Sequence, residues 1–274
     1  MHTCYASGNA NKKTTFNFIF IIMIEIFFLS LIQGIAEFLP VSSSSHLILV
    51  SDFLQFENQS LSIDVSLHIG SFLAVIVYFN NDIKKFLKNK IILFKILLSS
   101  LPVMVAGFVL VEFNLINKFR NIEIIAWTTL LFGVLLYISD KFKTEKNIND
   151  NFNYKSMFFI GAMQILSLIP GVSRSGIAIT AARLLNFKRT DAAKISFLIS
   201  IPILGAVSIF GLKNLFFSEN IEFTKLNLLS IIISFIFSFL TIKYFLRYIE
   251  KFSLNVFVYY RVLLGLLLII LAYL

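Results

Sequence analysis

Long apolar runs, separated by short polar segments, make up most of this sequence. Five of them meet or approach the length of about 20 residues that an α-helix needs to cross a bilayer, and they lie at 91–111, 122–139, 195–212, 227–246 and 256–274. Only 14% of the 274 residues are charged, against about 25% in soluble domains. The sequence therefore predicts an all-α polytopic membrane protein and excludes a soluble enzyme, a disordered protein and a disulfide scaffold.

Two further apolar stretches are interrupted by helix-breaking turns. Region 24–54 contains Pro40 followed by four successive serines at 42–45. Region 156–187 contains the segment Pro-Gly-Val-Ser-Arg-Ser-Gly, at 170–176. Irregular backbone survives at membrane depth only where protein buries it or where it lines a wet cavity. Each stretch is therefore predicted to be a broken, re-entrant helical hairpin.

The two turns resemble each other in sequence. QGIAEFLPVSSSSHL begins at Gln33 and QILSLIPGVSRSG begins at Gln164. Each is followed by three apolar runs, the first segment by a shorter run at 65–79 and then by 91–111 and 122–139. This predicts repeat one at 23–139 and repeat two at 156–274, joined by a cytoplasmic loop at 140–155. An odd number of crossings inverts the second copy, and such inverted-topology repeats place a polar site near the midplane where the copies meet.

The distribution of Lys and Arg gives an orientation. The re-entrant arrangement puts 14 basic residues on one side and 4 on the other, and cytoplasmic loops carry the excess. A single crossing by residues 156–187 would reduce this bias to 10 against 8. The net charge of +9 is thereby assigned to cytoplasmic loops and not to nucleic-acid binding. The predicted cytoplasmic segments are 80–90, 140–155, 187–194 and 243–255, and the predicted outer segments are 51–64, 112–121 and 213–226.

The N-terminal residues 1–22 are predicted to be a dispensable extension, because Met23 begins an apolar segment that suffices for the first hairpin. A single membrane domain would then span 23–274. The one cysteine, Cys4, excludes an internal disulfide.

Ionisable side chains in the hairpins are functional candidates, because an ionised group at the bilayer centre costs at least about 2.5–3.5 kcal/mol. Gln33 and Glu37 are spaced i, i+4 and share one helix face, which suits a hard divalent cation such as Mg²⁺ or Ca²⁺. The alternative is that Glu37 only pairs with Arg174. Four other charged residues near apolar runs are expected at the interface or in ion pairs: Glu25, Lys95, Arg183 and Arg261.

Ser43 and His46 are spaced i, i+3 in the first turn. A hydroxyl near an imidazole suits a nucleophile with its base, or proton donation to a leaving oxygen. The alternative is a serine-rich cap on the helix that starts near Ser44.

The second turn combines glycines, hydroxyls and an arginine at the start of a helix. Backbone N–H groups there face an anion, and a guanidinium binds two phosphate oxygens at once. Ser173, Arg174, Ser175 and Gly176 are therefore predicted to bind phosphate, although Arg174 could merely neutralise Glu37. The cradle, the carboxylate and the Ser/His pair together indicate a lipid phosphate or diphosphate as substrate.

These motifs identify a family resemblance. QGIAEFLPVSSSSH and PGVSRSG resemble the two signatures of the undecaprenyl-diphosphatase family, also called bacitracin-resistance proteins. LHIGSFLAVIVYF and DAAKISFLISIPILGA are similar to that family as well, so the resemblance covers about 24–274. This chain has Gln33 where the family has Glu or Gln, and Ser45 where glycine is common before the histidine.

The resemblance implies hydrolysis of undecaprenyl diphosphate to undecaprenyl phosphate and inorganic phosphate, in the bacterial inner membrane. It also implies recycling of the lipid carrier for peptidoglycan synthesis, bacitracin resistance and a divalent-metal requirement. By position it assigns Gln33 and Glu37 to the acidic motif, which leaves Glu37, Ser43, His46 and Arg174 as the catalytic candidates.

Two other functions compete with hydrolysis. A transporter of polyprenyl phosphate could use the same repeats and the same cradle, although Ser43 and His46 favour chemistry. A purely structural subunit leaves the polar groups in the hairpins unexplained. The sequence leaves open whether Ser43, His46 or water attacks phosphorus, and whether the chain forms a homodimer.

Overall fold

The fold is a bundle of α-helices, taken from a computed structural model that describes residues 6–56, 60–88, 90–217 and 225–274. Within these residues the chain forms twelve α-helices and two short 3₁₀ segments. The helices are α1 Ala6–Ala36, α2 Ser43–Leu54, α3 Leu61–Tyr78, α4 Asn80–Lys88, α5 Lys90–Glu112, α6 Ile122–Asp140, α7 Ile148–Asn151, α8 Tyr154–Gln164, α9 Arg174–Leu184, α10 Arg189–Phe217, α11 Lys225–Lys251 and α12 Asn255–Tyr273; the 3₁₀ segments are Ile116–Phe119 and Ile165–Leu168.

In the part of the chain that the structure describes, five helices are long and apolar enough to cross a membrane: α5, α6, α10 (over Arg189–Lys213), α11 and α12. They coincide with the five long apolar runs, so the prediction of an all-helical, multi-pass membrane protein is confirmed. Large apolar side chains cover the outside of these helices, including Phe108, Ile209 and Leu263, which are 62%, 71% and 69% exposed. Such a surface suits lipid and not water.

The helices approach closely where small residues face each other. A side chain at Gly70 of α3 would place its Cβ 2.5 Å from the Ile231 carbonyl oxygen of α11. Beside this contact, the Ser71 and Ser238 hydroxyls are 2.9 Å apart across the same pair of helices. Small residues and interhelical hydrogen bonds hold helices together in lipid, where apolar burial alone gives no driving force.

Several of the basic segments meet at one end of the bundle. The Lys194 ammonium lies 2.8 Å from the Asp82 carboxylate, and the Arg189 guanidinium donates to both Asp140 carboxylate oxygens at 2.7 and 3.1 Å. The Leu254 amide also donates to Asp140, at 3.2 Å. These contacts bring parts of the segments 80–90, 140–155, 187–194 and 243–255 to the same end.

Both helix breaks lie where the sequence places them. The first turn, residues 37–42, separates α1 from α2, and the second turn, residues 169–173, precedes α9. Each turn ends on a serine with a positive φ, 76° at Ser42 and 73° at Ser173. Such values are uncommon outside glycine, so the two turns share an unusual backbone feature immediately before their helices.

Helix α1 begins at Ala6 and runs without a break past Met23. The described helical part of residues 1–22 therefore continues directly into the segment that leads to the first turn. Their dispensability stays a prediction.

Candidate active site

Glu37 stands at the centre of the polar groups, in the first turn. Its side chain is 6% exposed, and its two carboxylate oxygens have different partners. Oε1 accepts from the Arg174 guanidinium at 2.7 Å. Oε2 accepts from the Ser43 hydroxyl at 2.6 Å and from the Gln33 amide at 3.0 Å. The two turns therefore meet at this carboxylate.

Arg174, the first residue of α9, uses only part of its hydrogen-bonding capacity. Nη2 forms the ion pair with Glu37, whereas Nη1 is buried and has no partner among the described residues. Buried donors in native proteins are almost always paired. A guanidinium N–H without a partner, beside a helix N-terminus, is a donor suited to a phosphate oxygen.

The predicted Ser43–His46 pair does not form a hydrogen bond. Ser43 donates to Glu37, while the His46 ring lies between the Ser42 carbonyl oxygen, 2.6 Å from Nδ1, and the Tyr260 hydroxyl, 2.6 Å from Nε2. The reversal of the chain at 37–42 brings Glu37 back over the start of α2. Ser43 thus has a carboxylate partner instead of an imidazole.

The hydroxyls of Ser173 and Ser175 have hydrogen-bond partners within the protein. Ser173 caps α9 by accepting from the Gly176 amide at 3.1 Å, and Ser175 donates to the Leu39 carbonyl oxygen at 2.7 Å. The Gly171 amide donates to the Ser42 hydroxyl at 3.3 Å. In this structure Ser173 and Ser175 therefore shape the site and join the turns. Their contact with phosphate stays a prediction.

Arg261 of α12 joins both turns, a role that the sequence did not predict for it. The side chain is fully buried and donates to the carbonyl oxygens of Pro40 at 3.2 Å, Val172 at 3.1 Å and Gly171 at 2.7 Å. A Cβ at Gly176 would lie 2.9 Å from Arg261 Nη1, so glycine there leaves room for the guanidinium.

The expectation that Arg261 lies at the interface or in an ion pair is wrong, because the side chain is fully buried and its hydrogen-bond partners among the described residues are backbone carbonyl oxygens. The same expectation is confirmed for Arg183, whose Nε lies 3.4 Å from the Asp140 carboxylate. A signal for Arg261 was present in the sequence, since it is an arginine within the apolar run of α12.

His68 of α3 is a second residue that the sequence did not single out. Its Nδ1 lies 3.1 Å from the Gln33 amide nitrogen, which also donates to Glu37. The Gln33 amide oxygen is buried without a hydrogen-bond partner among the described residues. Gln33 therefore holds the acidic motif in place and presents one free acceptor.

A cation site made of protein carboxylates, imidazoles and thiolates is not evident: over 6–56, 60–88, 90–217 and 225–274 no three such side chains cluster. The oxygens that suit Mg²⁺ or Ca²⁺ are those of Glu37 and the unpartnered amide oxygen of Gln33. Mg²⁺ commonly binds one or two protein ligands, with water and substrate phosphate as the rest. The residues present fit that kind of site.

Known proteins resemble this chain over nearly its whole length. Residues 26–267 match the family described as bacitracin resistance protein BacA. The chain is 49% identical over 252 residues to a protein of Pelagibacter ubique named undecaprenyl-diphosphatase, covering 92% of this chain and 98% of that one. A protein of the same name from Aliivibrio salmonicida is 40% identical, and the match covers 88% of this chain and 95% of that one. Another from Jannaschia sp. is 34% identical, and the match covers 92% of this chain and 99% of that one. This chain belongs to the BacA family of bacitracin resistance proteins.

Proposed function

We propose that the protein hydrolyses undecaprenyl diphosphate to undecaprenyl phosphate and inorganic phosphate in the bacterial inner membrane. This reaction recycles the lipid carrier for peptidoglycan synthesis and gives resistance to bacitracin. The observation that carries the proposal is the arrangement around Glu37. An arginine with one buried, unpartnered donor lies on one side of the carboxylate, and a hydroxyl that donates to the carboxylate lies on the other.

Ser43 is the nucleophile that this geometry favours, with Glu37 as its base. The Ser43 oxygen forms a bond to the terminal phosphorus while the bond from that phosphorus to the bridging oxygen breaks. Undecaprenyl phosphate leaves, and the Ser43 proton passes to Glu37 over the existing 2.6 Å hydrogen bond. Water then attacks the phosphorus of the phosphoserine, and the bond from phosphorus to the Ser43 oxygen breaks. Inorganic phosphate leaves, and the Ser43 oxygen takes back the proton held by Glu37.

Arg174 supplies charge stabilisation. Its free Nη1 binds a terminal phosphate oxygen while Nη2 stays on Glu37. A preorganised donor aimed at developing negative charge contributes about 2.7–4 kcal/mol, or about 10²–10³ in rate. His46 serves the second step, since Nδ1 faces a carbonyl oxygen and must donate. Nε2 of the neutral ring, which accepts from the Tyr260 hydroxyl in this structure, is then the nitrogen that takes the proton of the attacking water.

A divalent cation, Mg²⁺ or Ca²⁺, would be held by Glu37 and the free Gln33 amide oxygen. A cation bound there would neutralise part of the negative charge of the diphosphate. Glu37 would keep its bond from Ser43 and its ion pair with Arg174, because a carboxylate has about four lone-pair sites.

The chain is further proposed to be an inverted repeat of two re-entrant hairpins, each followed by three helices. The matching φ angles of Ser42 and Ser173 support this. So do the direct contacts on either side of the second hairpin, where the Lys188 amide donates to the Lys146 carbonyl oxygen at 3.0 Å. Segments before and after residues 156–187 lie together, as expected if the hairpin turns back. The excess of basic residues assigns that end to the cytoplasm.

The test is phosphate release from farnesyl and undecaprenyl diphosphate by the purified protein in detergent, with and without chelator. Wild type is expected to release phosphate, and Arg174→Lys to be slower by about 10²–10³, because lysine lacks the planar fork that fits phosphate. Arg247→Lys, at an exposed position of α11, is the matched control. A carrier of polyprenyl phosphate would release none, and that result from folded wild-type protein would contradict the proposal.

A further inference from the structure

His46 is held on both ring nitrogens, and only one arrangement of protons satisfies both contacts. Nδ1 lies 2.6 Å from the Ser42 carbonyl oxygen, which can only accept, so Nδ1 carries the proton. In the neutral ring Nε2 is then an acceptor. The Tyr260 hydroxyl, 2.6 Å away, must donate to it.

We propose that Tyr260 is a positioning residue for the hydrolysis, acting through His46. Its hydroxyl donates to Nε2, which supports the Nδ1-protonated tautomer selected by the Ser42 carbonyl oxygen and fixes the direction of the Nε2 lone pair. During turnover the hydroxyl gives up this position to the attacking water, whose proton passes to Nε2. The inference rests on the proposed phosphatase activity and adds a residue to it.

The backbone of α12 fixes where Tyr260 stands. Its neighbour Arg261 donates to carbonyl oxygens in both turns, so this part of α12 cannot shift without moving both turns. The Tyr260 and His46 rings also stack, with centroids 5.7 Å apart and planes 15° from parallel. Ring and hydroxyl together restrict rotation of the imidazole.

Packing alone does not account for this tyrosine. Tyr260 is 43% exposed and lines, with His46, a cavity of about 400 Å³. The other residues of this cavity are apolar: Leu31, Ile32, Ile35, Ala36, Leu39, Val41, Val256 and Phe257. Phenylalanine would fill the same space in such surroundings. The hydroxyl has one polar partner among the described residues, the imidazole, at the border between the polar site and the apolar cavity.

Steady-state kinetics give the first test, with Tyr260→Phe as the variant and Tyr259→Phe as the matched control. Tyr259 is 59% exposed and belongs to neither turn nor site. Tyr260→Phe is expected to lower kcat about tenfold, part of the ~10²–10⁴ that general acid–base catalysis contributes, and to leave KM within about twofold. Tyr259→Phe should match wild type. A raised KM with unchanged kcat would assign Tyr260 to lipid binding and overturn the inference.

A double-mutant cycle separates action through His46 from a general structural effect. If Tyr260 acts through the imidazole, the Phe substitution has no further effect on phosphate release once His46→Ala is present. If the double variant instead loses kcat by the product of the two single-variant losses, the two residues act independently and the inference is overturned. Absence of phosphate release from wild type would instead contradict the proposed function.

A spectroscopic signature tests the contact without any activity. The chain has three histidines, so imidazole ¹⁵N spectra of histidine-labelled protein are simple, and His46→Ala assigns the signal. At mildly alkaline pH, above the reference pKa of about 6.5, wild type is expected to show the Nδ1-protonated form of His46. Tyr260→Phe should shift the Nε2 resonance towards that of a nitrogen that accepts no hydrogen bond. An unchanged Nε2 resonance, or a wild-type ring protonated on Nε2, would contradict the inference.

Discussion

The hydroxyl of Ser43 donates to the carboxylate of Glu37 over 2.6 Å, and this contact joins the end of one half-helix to the start of the next. Helix α1 ends at Ala36 and α2 begins at Ser43, so the contact closes the first turn. The other carboxylate oxygen of Glu37 accepts a hydrogen bond from the guanidinium of Arg174, which lies 137 residues further along the chain. The proposed nucleophile and the proposed phosphate-binding group are therefore connected through one carboxylate, the proposed base.

Ser43→Ala is expected to abolish nearly all phosphate release, by at least about 10²-fold, because a nucleophile cannot be replaced by a methyl group. The measurement is kcat with undecaprenyl diphosphate. Ser44→Ala is the matched control, since Ser44 is the exposed neighbour on the same helix and should remain active. A loss of only a few-fold for Ser43→Ala would show that water or His46 attacks phosphorus.

Glu37→Gln is expected to lower kcat by about 10²–10³ and also to destabilise the protein. Glutamine leaves the Arg174 cation buried without its counter-charge, and breaking a buried pair costs about 3–5 kcal/mol. Thermal unfolding in detergent and phosphate release measure the two effects, with Glu123→Gln at an exposed position as control.

The double variant Glu37→Gln, Arg174→Gln separates stability from catalysis. Removing both charges should recover much of the lost stability and none of the activity. Recovery of activity with stability would mean that Glu37 is only a counter-ion.

Arg261→Met is expected to lower the unfolding temperature and the activity together. Methionine fills the space but leaves the carbonyl oxygens of Pro40, Gly171 and Val172 without their donor, and each hydrogen bond to a charged group contributes about 1.5–3 kcal/mol. Arg261→Lys keeps the charge and reaches fewer carbonyls, so it should be intermediate. Wild-type behaviour of both variants would show that the turns hold together without Arg261.

Cysteine labelling tests the orientation. In a Cys4→Ser background, Ser60→Cys is expected to react with an impermeant reagent added outside intact cells, and Lys143→Cys only after the membrane is opened. Lys143 is an informative site because its side chain is 79% exposed. Strong labelling of position 143 from outside would reverse the proposed orientation.

The long helices and the two turns could be predicted because apolar length and turn-forming residues are local properties of the sequence. The five long runs, and the breaks around Pro40 and at 170–176, needed no knowledge of tertiary structure. Glu37 and Arg174 could be paired on charge alone, since a buried carboxylate and a buried guanidinium each need a partner.

The partners of Ser43 and His46 could not be predicted, because helical spacing says nothing of a chain reversal. The i, i+3 relation placed the two side chains on neighbouring turns of α2, yet the first turn returns Glu37 to Ser43 and α12 brings Tyr260 to His46. Arg261 was missed for a related reason. Its partners are backbone carbonyls more than 80 residues away in the sequence. Contacts to the backbone leave no pattern of side-chain types from which they could be predicted.

The central claim is that water cleaves the terminal phosphate from a polyprenyl diphosphate at the Glu37 site. The most direct measurement is turnover of undecaprenyl diphosphate by the purified protein in ¹⁸O-labelled water, with mass spectrometry of both products. The expected result is label in the inorganic phosphate, none in undecaprenyl phosphate, and equal amounts of the two products. Label in the lipid product, or no products from folded protein, would contradict the claim.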